Sequence, residues 1–177
     1  IPMSLSAYSK ELIATANALA ESGKGILAVD ESTKTIGKRL GGIQVENTEA
    51  NRQAYRGMLF TAAGLGDFIS GAILYEETLF QSHADGETMV QKLNKAGIIP
   101  GIKVDKGLAP LESSPEETVT QGLDGLDERC KEYVSLGAKF TKWRAVIKIS
   151  ESLPTEECIE ANMQALAKYA KIDQNNN

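Results

Sequence analysis

Ionisable side chains stand at the ends of three short apolar segments. Asp30 follows "GILAV", Lys103 and Asp105 end "GIIPGIKVD", and Lys142 and Arg144 end "AKFTKWR". If these segments are strands, side-chain alternation places Lys103 with Asp105 on one face, and Lys142 with Arg144 on one face. Burying such charges costs several kcal/mol unless they pair or bind a ligand. Their complementary signs therefore favour a site for an anionic molecule.

Each of these residues also has a simpler explanation when it is taken alone. A lysine near the end of a strand is usually solvated, and Asp30 before "EST" is typical of a helix cap. Arg39 and Arg52 lie in helical segments, where arginines are usually surface residues. Lys106 falls on the face opposite Lys103 or in the following loop, so we expect it outside the site. Only the coincidence of several charged strand ends favours a binding site.

The segments that must position these residues alternate between helical and strand patterns. A helix is predicted over Tyr8–Ala20, and four strand–helix units follow it. The predicted strands are "GKGILAVD", "DFISGAILY", "GIIPGIKV" and "AKFTKWRAVIKI". The helices of the four units are predicted at "NTEANRQAYRGMLFTAA", at Thr88–Lys95, at residues 114–137 and at "TEECIEANMQALAKYAKI".

Cap residues and apolar spacing support these helices. Ser114, Pro115 and Glu117 match a cap, a first turn and a capping box for a helix that ends at Gly137. In the helix that Asn47 or Thr48 caps, we expect an apolar inward face made by Ala54, Tyr55, Met58, Leu59 and Ala62. In the last helix, one face carries Ile159, Met163, Leu166 and Tyr169.

Strand–helix alternation of this kind predicts an α/β domain with a parallel sheet and crossover helices. Two architectures fit the pattern: an open doubly wound sheet, or part of an eight-unit barrel. Both place their ligand sites at the carboxyl ends of the strands. Four units would be half a barrel, which would leave two sheet edges exposed. No internal linker divides the chain, so we expect a single domain over residues 1–177.

Composition excludes several classes of function. The net charge of −5 disfavours a nucleic-acid surface, and no apolar run approaches the roughly 20 residues of a membrane helix. Cys130 and Cys158 are predicted to be free thiols in a reducing compartment. One histidine, His83, is too few for a zinc-hydrolase site or a histidine-based triad. We therefore expect no metal. No glycine-rich segment has the spacing of a nucleotide-binding loop, and we expect no cofactor.

Several longer motifs resemble one enzyme family. The strings "KGILAVDEST", "VENTEANRQAYRGMLF", "SGAILYEETLFQ", "PGIKVDKG", "TQGLDGLDERCKEY" and "GAKFTKWRAVIKI" stand in the order and spacing of class I fructose-bisphosphate aldolases. The resemblance runs from about Tyr8 to Tyr169. It implies a (β/α)8 TIM barrel, of which this chain covers the first four strand–helix units, with the fifth to eighth units absent.

The resemblance also implies a reaction. Members of this family reversibly cleave fructose 1,6-bisphosphate to dihydroxyacetone phosphate and glyceraldehyde 3-phosphate without a metal. A lysine forms a Schiff base with the substrate ketone, and the iminium accepts the electrons of the broken carbon–carbon bond. The family further implies a homotetramer and, as a secondary property, binding to actin or other cytoskeletal partners.

The family's functional residues map onto matching positions of this chain. Asp30 matches the aspartate that helps to move the proton of the substrate's C4 hydroxyl, and Lys142 matches the lysine beside the Schiff base. Lys103 matches a lysine that contacts substrate hydroxyl and phosphate groups, and Arg144 borders the same pocket. The residues implied in phosphate binding are Ser32, Thr35, Lys38, Arg39 and Arg52.

The chain departs from the family pattern mainly at its end. Asp173–Asn177 does not match the expected "ICQENG", and the later segments that carry the acid–base glutamate, the Schiff-base lysine and the catalytic tyrosine are not among the 177 residues. Lys34 replaces a small residue common after "DEST". We therefore expect that residues 1–177 alone neither form a stable barrel nor cleave substrate, because the chain is truncated or its sequence is incompletely determined.

Two functions remain open on these grounds. The first is a glycolytic or Calvin-cycle aldolase that contains this chain as half of its barrel. The second is a truncated, catalytically inactive aldolase chain that keeps a protein-binding role, for example with actin. The segment "KTIGKRL" resembles cytoplasmic members, with plastid members as the alternative. The N-terminal segment lacks the pattern of a signal peptide.

Overall fold

A computed structural model describes residues 9–176, so the predicted helix start at Tyr8 and the last residue, Asn177, lie outside the described part. The strands are β1 (Gly25–Val29), β2 (Ile69–Leu74), β3 (Ile99–Lys103), β4 (Leu108–Pro110), β5 (Thr118–Thr120) and β6 (Phe140–Lys142). The helices are α1 (Ser9–Leu19), α2 (Thr33–Gly42), α3 (Glu49–Phe60), α4 (Leu65–Phe68), α5 (Glu76–Phe80), α6 (Met89–Lys95), α7 (Leu126–Ser135) and α8 (Glu156–Asn175).

Four strands form one parallel sheet in the order β1-β2-β3-β6. The order follows the chain, with helices between successive strands, as in one half of a (β/α)8 barrel. A doubly wound sheet would instead reverse its strand order at a switch point. The register pairs Val29 with Leu74 and Lys103 with Lys142, so the carboxyl ends of the strands lie at one end of the sheet.

The two faces of the sheet differ sharply in polarity. Val29, Leu74 and Ile102 belong to the buried core, where α3, α6 and α7 contribute Phe60, Met89, Val90, Leu93, Leu126, Cys130 and Tyr133. Side-chain alternation sends Asp30, Tyr75, Lys103 and Lys142 to the opposite face. The first three predicted strands and the alternation are confirmed. The fourth is confirmed only over β6, and its predicted extension over residues 143–149 is wrong, because that segment is not a strand.

Trp143 supports the same alternation on the last strand of the sheet. Its ring stacks on Tyr169 of α8, with 5.1 Å between the ring centroids. The indole therefore faces a covering helix, as predicted, while Lys142 and Arg144 on either side of it line a cavity. Cys130 and Cys158 are buried free thiols, also as predicted.

The helix predicted over residues 114–137 is wrong in its first half. Residues 108–120 form the antiparallel hairpin β4–β5, and only α7 is helical. Gly122 and Gly125 have φ values of 127° and 64°, which interrupt a right-handed helix. A Cβ on Gly122 would lie 2.9 Å from the backbone nitrogen of Lys106. The threonines and valine of "TVT" favour a strand, and this preference outweighs the cap pattern.

Glu117 joins the hairpin to α8 instead of capping a helix of its own. The residue is 1% exposed, and its carboxylate accepts hydrogen bonds from the backbone nitrogen of Thr155 at 2.9 Å and from the Thr155 hydroxyl at 2.7 Å. Thr155 is the N-cap of α8. The hydrogen bonds from Thr155 lower the pKa of the Glu117 carboxyl.

We expect Glu117→Gln to lower the thermal unfolding midpoint by several degrees at pH 7, because one acceptor for Thr155 becomes a donor. A lowered pKa stabilises the fold above the unfolded carboxyl's pKa of about 4.3, and this contribution disappears as pH falls through the folded pKa. The difference between parent and variant should therefore shrink below about pH 4. Thermal unfolding across pH measures this, with the exposed Glu116→Gln as control. A pH-independent difference would contradict the assignment.

Two predicted apolar faces differ from the observed packing. On α3 the buried face carries Arg52, Arg56, Gly57 and Phe60, whereas Ala54, Met58 and Ala62 are exposed and the inward prediction for them is wrong. On α8 the buried residues are Cys158, Asn162 and Ala165, and the face of Ile159, Met163 and Leu166 is 39–55% exposed. None of the helices within residues 9–176 combines the length and apolarity that a membrane span needs.

Candidate active site

A cavity of about 440 Å³ opens at the carboxyl ends of the parallel strands. It contains six of the predicted site residues, namely Asp30, Ser32, Thr35, Lys103, Lys142 and Arg144. The remaining lining residues are Glu31, Tyr75, Glu76, Asp105, Lys106, Gly107 and Leu108. A smaller cavity of about 140 Å³ near α1 and α7 is mostly apolar and contains none of the predicted residues.

Asp30 and Lys142 form an ion pair across this cavity. Lys142 Nζ donates to Asp30 Oδ2 at 2.5 Å, and Asp30 is 8% exposed. Asp30 follows β1 and Lys142 ends β6, which are the two edges of the sheet with two strands between them. Three strand spacings of about 4.8 Å separate the edges of a flat sheet. The contact therefore requires a curved sheet whose concave face holds the pair.

Lys103 and Asp105 form a second pair beside the first. Lys103 Nζ donates to Asp105 Oδ1 at 2.5 Å and to the Asp105 carbonyl oxygen at 2.9 Å. Asp105 is 7% exposed, and its Oδ2 accepts from the backbone nitrogen of Arg144 at 3.2 Å. The Asp105 carboxylate thus holds Lys103 and the backbone after β6 together. The prediction that Asp105 holds one of the cations is confirmed.

Ser32 and Thr35 bring hydroxyl groups to the cavity at the start of α2. Ser32 is the N-cap, and its Oγ accepts from the backbone nitrogen of Thr35 at 3.4 Å. The two hydroxyl oxygens lie 3.2 Å apart. Ser32, and not Asp30, therefore caps the helix, which leaves Asp30 free to pair with Lys142. A helix N-terminus with two hydroxyls suits a phosphate group.

Three predicted phosphate-binding residues do not line the cavity. Lys38 is exposed on α2, and Arg39 pairs with Glu31 while its side chain remains 59% exposed. Arg52 is buried, and its Nε and Nη2 donate hydrogen bonds to the Glu77 carboxylate at 2.8 and 2.5 Å. This contact with Glu77 raises the pKa of Arg52 and lowers the pKa of the Glu77 carboxyl. A substrate role for these three residues stays a prediction.

Sequence reasoning missed several residues of the cavity wall. Lys106 lines the cavity, contrary to its predicted place outside, and its Nζ lies 3.0 Å from Glu76 Oε2. Glu76 and Tyr75 directly follow β2. The rule that ligand sites form at the carboxyl ends of strands could therefore have identified them. Glu31 directly follows Asp30 in the same way.

Glu76 contacts two donors. Its Oε1 accepts from the hydroxyl of Tyr133, a residue that is 1% exposed, and its Oε2 faces Lys106. Burial alone would raise the pKa of the Glu76 carboxyl, but the hydrogen bonds from Tyr133 and Lys106 hold it below its usual value. Burial and the neighbouring Glu76 raise the pKa of Tyr133 to about 12. Glu76 is therefore ionised at neutral pH, and Tyr133 is a neutral donor.

Arg56 is an arginine that contacts two segments of the cavity wall. It is 0% exposed. One terminal nitrogen, Nη2, donates to the Glu31 carbonyl oxygen at 2.6 Å, and Nη1 lies 3.4 Å from Glu77 Oε2. The guanidinium carbon lies 5.5 Å from the centre of the Tyr75 ring. Burial lowers the pKa of Arg56. Arg56 thus connects the segments that follow β1 and β2, both of which line the cavity.

The charges in the cavity suit an anionic ligand that carries hydroxyl groups. Lys103, Lys106 and Lys142 each have a carboxylate partner. Arg144 also lines the cavity, but its side chain has no ion pair within residues 9–176. No cluster of three or more metal-ligating side chains occurs in that part of the chain. The arrangement can hold phosphate groups with cations and hydroxyls, and it can move a proton at Asp30.

Known proteins that this chain matches are aldolases. A sequence model described as "Fructose-bisphosphate aldolase class-I" matches residues 11–177. A "Probable fructose-bisphosphate aldolase class 1" of Xanthomonas campestris is 55% identical over 93% of this chain and 49% of that protein. A "Fructose-bisphosphate aldolase, cytoplasmic isozyme 2" of Pisum sativum is 56% identical over 97% of this chain and 48% of that protein.

Two further relatives are also aldolases, and this chain matches only part of the length of each. "Fructose-bisphosphate aldolase 3, chloroplastic" of Arabidopsis thaliana is 55% identical over 96% of this chain and 43% of that protein. The Plasmodium falciparum fructose-bisphosphate aldolase, solved in complex with TRAP and a small-molecule inhibitor, superposes with a TM-score of 0.95 at 54% identity. The superposition covers 99% of this chain and 51% of the Plasmodium chain. The chain thus spans about half the length of the relatives it matches.

Proposed function

Because this chain belongs to the class I fructose-bisphosphate aldolase family, we propose that residues 1–177 form the N-terminal part of one (β/α)8 barrel domain that cleaves fructose 1,6-bisphosphate. The products are dihydroxyacetone phosphate and glyceraldehyde 3-phosphate, and the reaction is reversible. We call the complete barrel that includes these residues the intact enzyme. Its Schiff-base lysine comes from the half of the barrel outside residues 1–177.

One observation carries this proposal. Asp30, Lys103 and Lys142 come from three different strand ends and meet in one cavity, beside the hydroxyls of Ser32 and Thr35. A bisphosphate sugar needs cations and hydroxyl donors for its phosphates, and a base near its reacting hydroxyl. The cavity supplies both kinds of group, and Lys142 contacts Asp30 directly.

The family resemblance supplies the proposed roles, and the contacts in the cavity are compatible with them. The nucleophilic lysine attacks the C2 ketone and loses water, which gives an iminium. Removal of the C4 hydroxyl proton, assisted by Asp30, then breaks the C3–C4 bond, and the bonding electrons move into the iminium to give an enamine. Glyceraldehyde 3-phosphate leaves. Protonation at C3 and hydrolysis release dihydroxyacetone phosphate and regenerate the lysine.

Lys142 has two tasks in this scheme. Its ammonium holds Asp30 at 2.5 Å, and its positive charge near the Schiff-base lysine favours the neutral, nucleophilic form of that amine. Lys103 and Arg144 face the same space and contact substrate hydroxyl and phosphate oxygens. Ser32 and Thr35 hold a phosphate at the start of α2.

Borohydride trapping tests the proposal. Reduction of the iminium in the presence of dihydroxyacetone phosphate is expected to inactivate the intact enzyme and leave one covalent adduct. Peptide mapping should find that adduct outside residues 1–177, because Lys103 and Lys142 are not the proposed nucleophile. An intact mass near 19.0 kDa together with normal turnover would overturn the proposal, since half a barrel would then suffice.

A second candidate is a non-catalytic, protein-binding role for a truncated chain. Two observations favour it: the exposed apolar face of Ile159, Met163 and Leu166 on α8, and the solved Plasmodium relative in complex with the protein TRAP. Absence of any trapped adduct, with retained binding to actin, would support this candidate.

The exposed face also suits a subunit contact, and we propose a homotetramer for the intact enzyme. Cytoplasmic and chloroplastic relatives both match, and we propose a cytoplasmic location.

A further inference from the structure

The cations of the cavity differ in how firmly they are held. Lys103 and Lys142 pair with Asp105 and Asp30, whose side chains are only 4% and 11% exposed. Lys106 pairs instead with Glu76 at the cavity rim, where the two side chains are 47% and 40% exposed. Exposed lysines reorient easily, so a nearby anion competes with the carboxylate for Lys106.

The Glu76 side chain cannot reorient in the way that Lys106 can. Its Oε1 accepts from the Tyr133 hydroxyl, which is buried and anchored on α7. Arg129 supports the same region, because its guanidinium donates to the carbonyl oxygens of Val104 at 3.0 Å and Gly122 at 2.5 Å. A fixed carboxylate therefore faces the cavity beside a mobile ammonium.

We propose that Glu76 determines how tightly the cavity binds phosphate groups: it is a fixed counter-ion that neutralises Lys106 and weakens the binding of anionic substrate and product. The inference rests on the proposed function for its substrate, a sugar bisphosphate. Weaker binding of the ground state does not slow the chemical step, and it favours product release. Neither residue was assigned to the site from the sequence.

An alternative role for Glu76 predicts the opposite result. If Glu76 orients Lys106 toward the substrate, loss of the carboxylate would weaken anion binding. We favour the counter-ion role because the Lys106 side chain is 47% exposed and can reach a ligand without being held. Removing a fixed negative charge from an anion site lowers repulsion whatever the geometry of the lysine.

The experiment is calorimetric titration of the intact enzyme with inorganic phosphate, and separately with fructose 1,6-bisphosphate, at low ionic strength. Glu76→Gln is expected to lower the Kd for phosphate roughly two- to fivefold, the range that a partly exposed charge pair supports. Glu76→Ala removes the same charge with a different side chain and serves as the second variant. Glu116→Gln, which removes an equal charge from the exposed pair with Lys148, is the matched control.

A double-mutant cycle shows whether Lys106 carries the effect. In a Lys106→Met background, the gain from Glu76→Gln should be smaller, because only direct repulsion is then relieved. An equal or larger gain in that background, an unchanged Kd, or weaker binding in Glu76→Gln would each overturn the inference. Cleavage activity of the unmodified enzyme is a separate readout. Tighter phosphate binding without any cleavage would refute the aldolase proposal and leave the role of Glu76 standing.

Discussion

Replacing Lys142 by alanine is expected to lower the turnover number of the intact enzyme by about 10²- to 10⁴-fold, the range for a group that assists proton transfer. The variant loses the ammonium that holds Asp30 at 2.5 Å and, in the proposed mechanism, the charge that keeps the Schiff-base lysine nucleophilic. Steady-state assays of fructose 1,6-bisphosphate cleavage measure the change. The variant should be less stable, because Asp30, whose side chain is 11% exposed, loses its partner, so thermal unfolding must show that it is folded at the assay temperature.

Lys148→Ala is the matched control for this substitution. Lys148 lies six residues further along the chain and pairs with Glu116, and its side chain is 48% exposed and does not line the cavity. We expect its turnover to match the parent. Full activity of Lys142→Ala would remove Lys142 from the reaction, and borohydride trapping of that variant would then show whether the Schiff base still forms.

Replacing Arg56 by methionine is expected to destabilise the intact enzyme by about 1–3 kcal/mol, the usual cost of leaving a buried acceptor without its donor. The substitution leaves the Glu31 carbonyl oxygen without its donor at 2.6 Å and Glu77 with one arginine instead of two. Urea unfolding at pH 7 measures the loss as a lower midpoint with an unchanged slope.

Arg39→Met provides the contrast on the same network. Arg39 also binds Glu31, but its side chain is 59% exposed, so we expect a loss of only about 0–1 kcal/mol. Arg56→Lys retains the positive charge but lacks the planar guanidinium. We expect its loss of stability to lie between those of Arg56→Met and Arg39→Met. If Arg39→Met costs as much as Arg56→Met, then burial is not the cause and the support role of Arg56 is wrong.

The positions of the main site residues were predictable from the sequence. Asp30, Lys103 and Lys142 end apolar segments, and the carboxyl ends of parallel strands must meet at one end of a sheet. The N-cap at Thr48 and the capping box of Thr88 and Gln91 also follow from local patterns. The number of strands in a complete barrel came only from the family resemblance.

The missed features share a physical reason. On α3 the inward face holds Arg52 and Arg56, which are buried because Glu77 and the Glu31 carbonyl oxygen satisfy them. A periodicity of apolar residues cannot detect a buried ion network. Residues 114–120 carry a cap pattern, but glycines at 122 and 125 with positive φ values and the pairing of β4 with β5 override it.

Arg39 and Arg52 illustrate a further difficulty. Both match family positions linked to phosphate, yet neither lines the cavity in the described residues. Arg39 is bound by Glu31, and Arg52 is bound by Glu77 and Asn47. A sequence motif shows which residues are present. It does not show which partner each arginine binds, because that depends on distances in the folded chain.

The stacking of Trp143 on Tyr169 has a practical consequence. Trp143 is the single tryptophan of the sequence, and the residues before and after it, Lys142 and Arg144, both line the cavity. We therefore expect a ligand that moves either neighbour to shift the indole against the Tyr169 ring, whose centroid lies 5.1 Å away. Trp143 emission is then expected to report occupancy of the cavity without any dye or label.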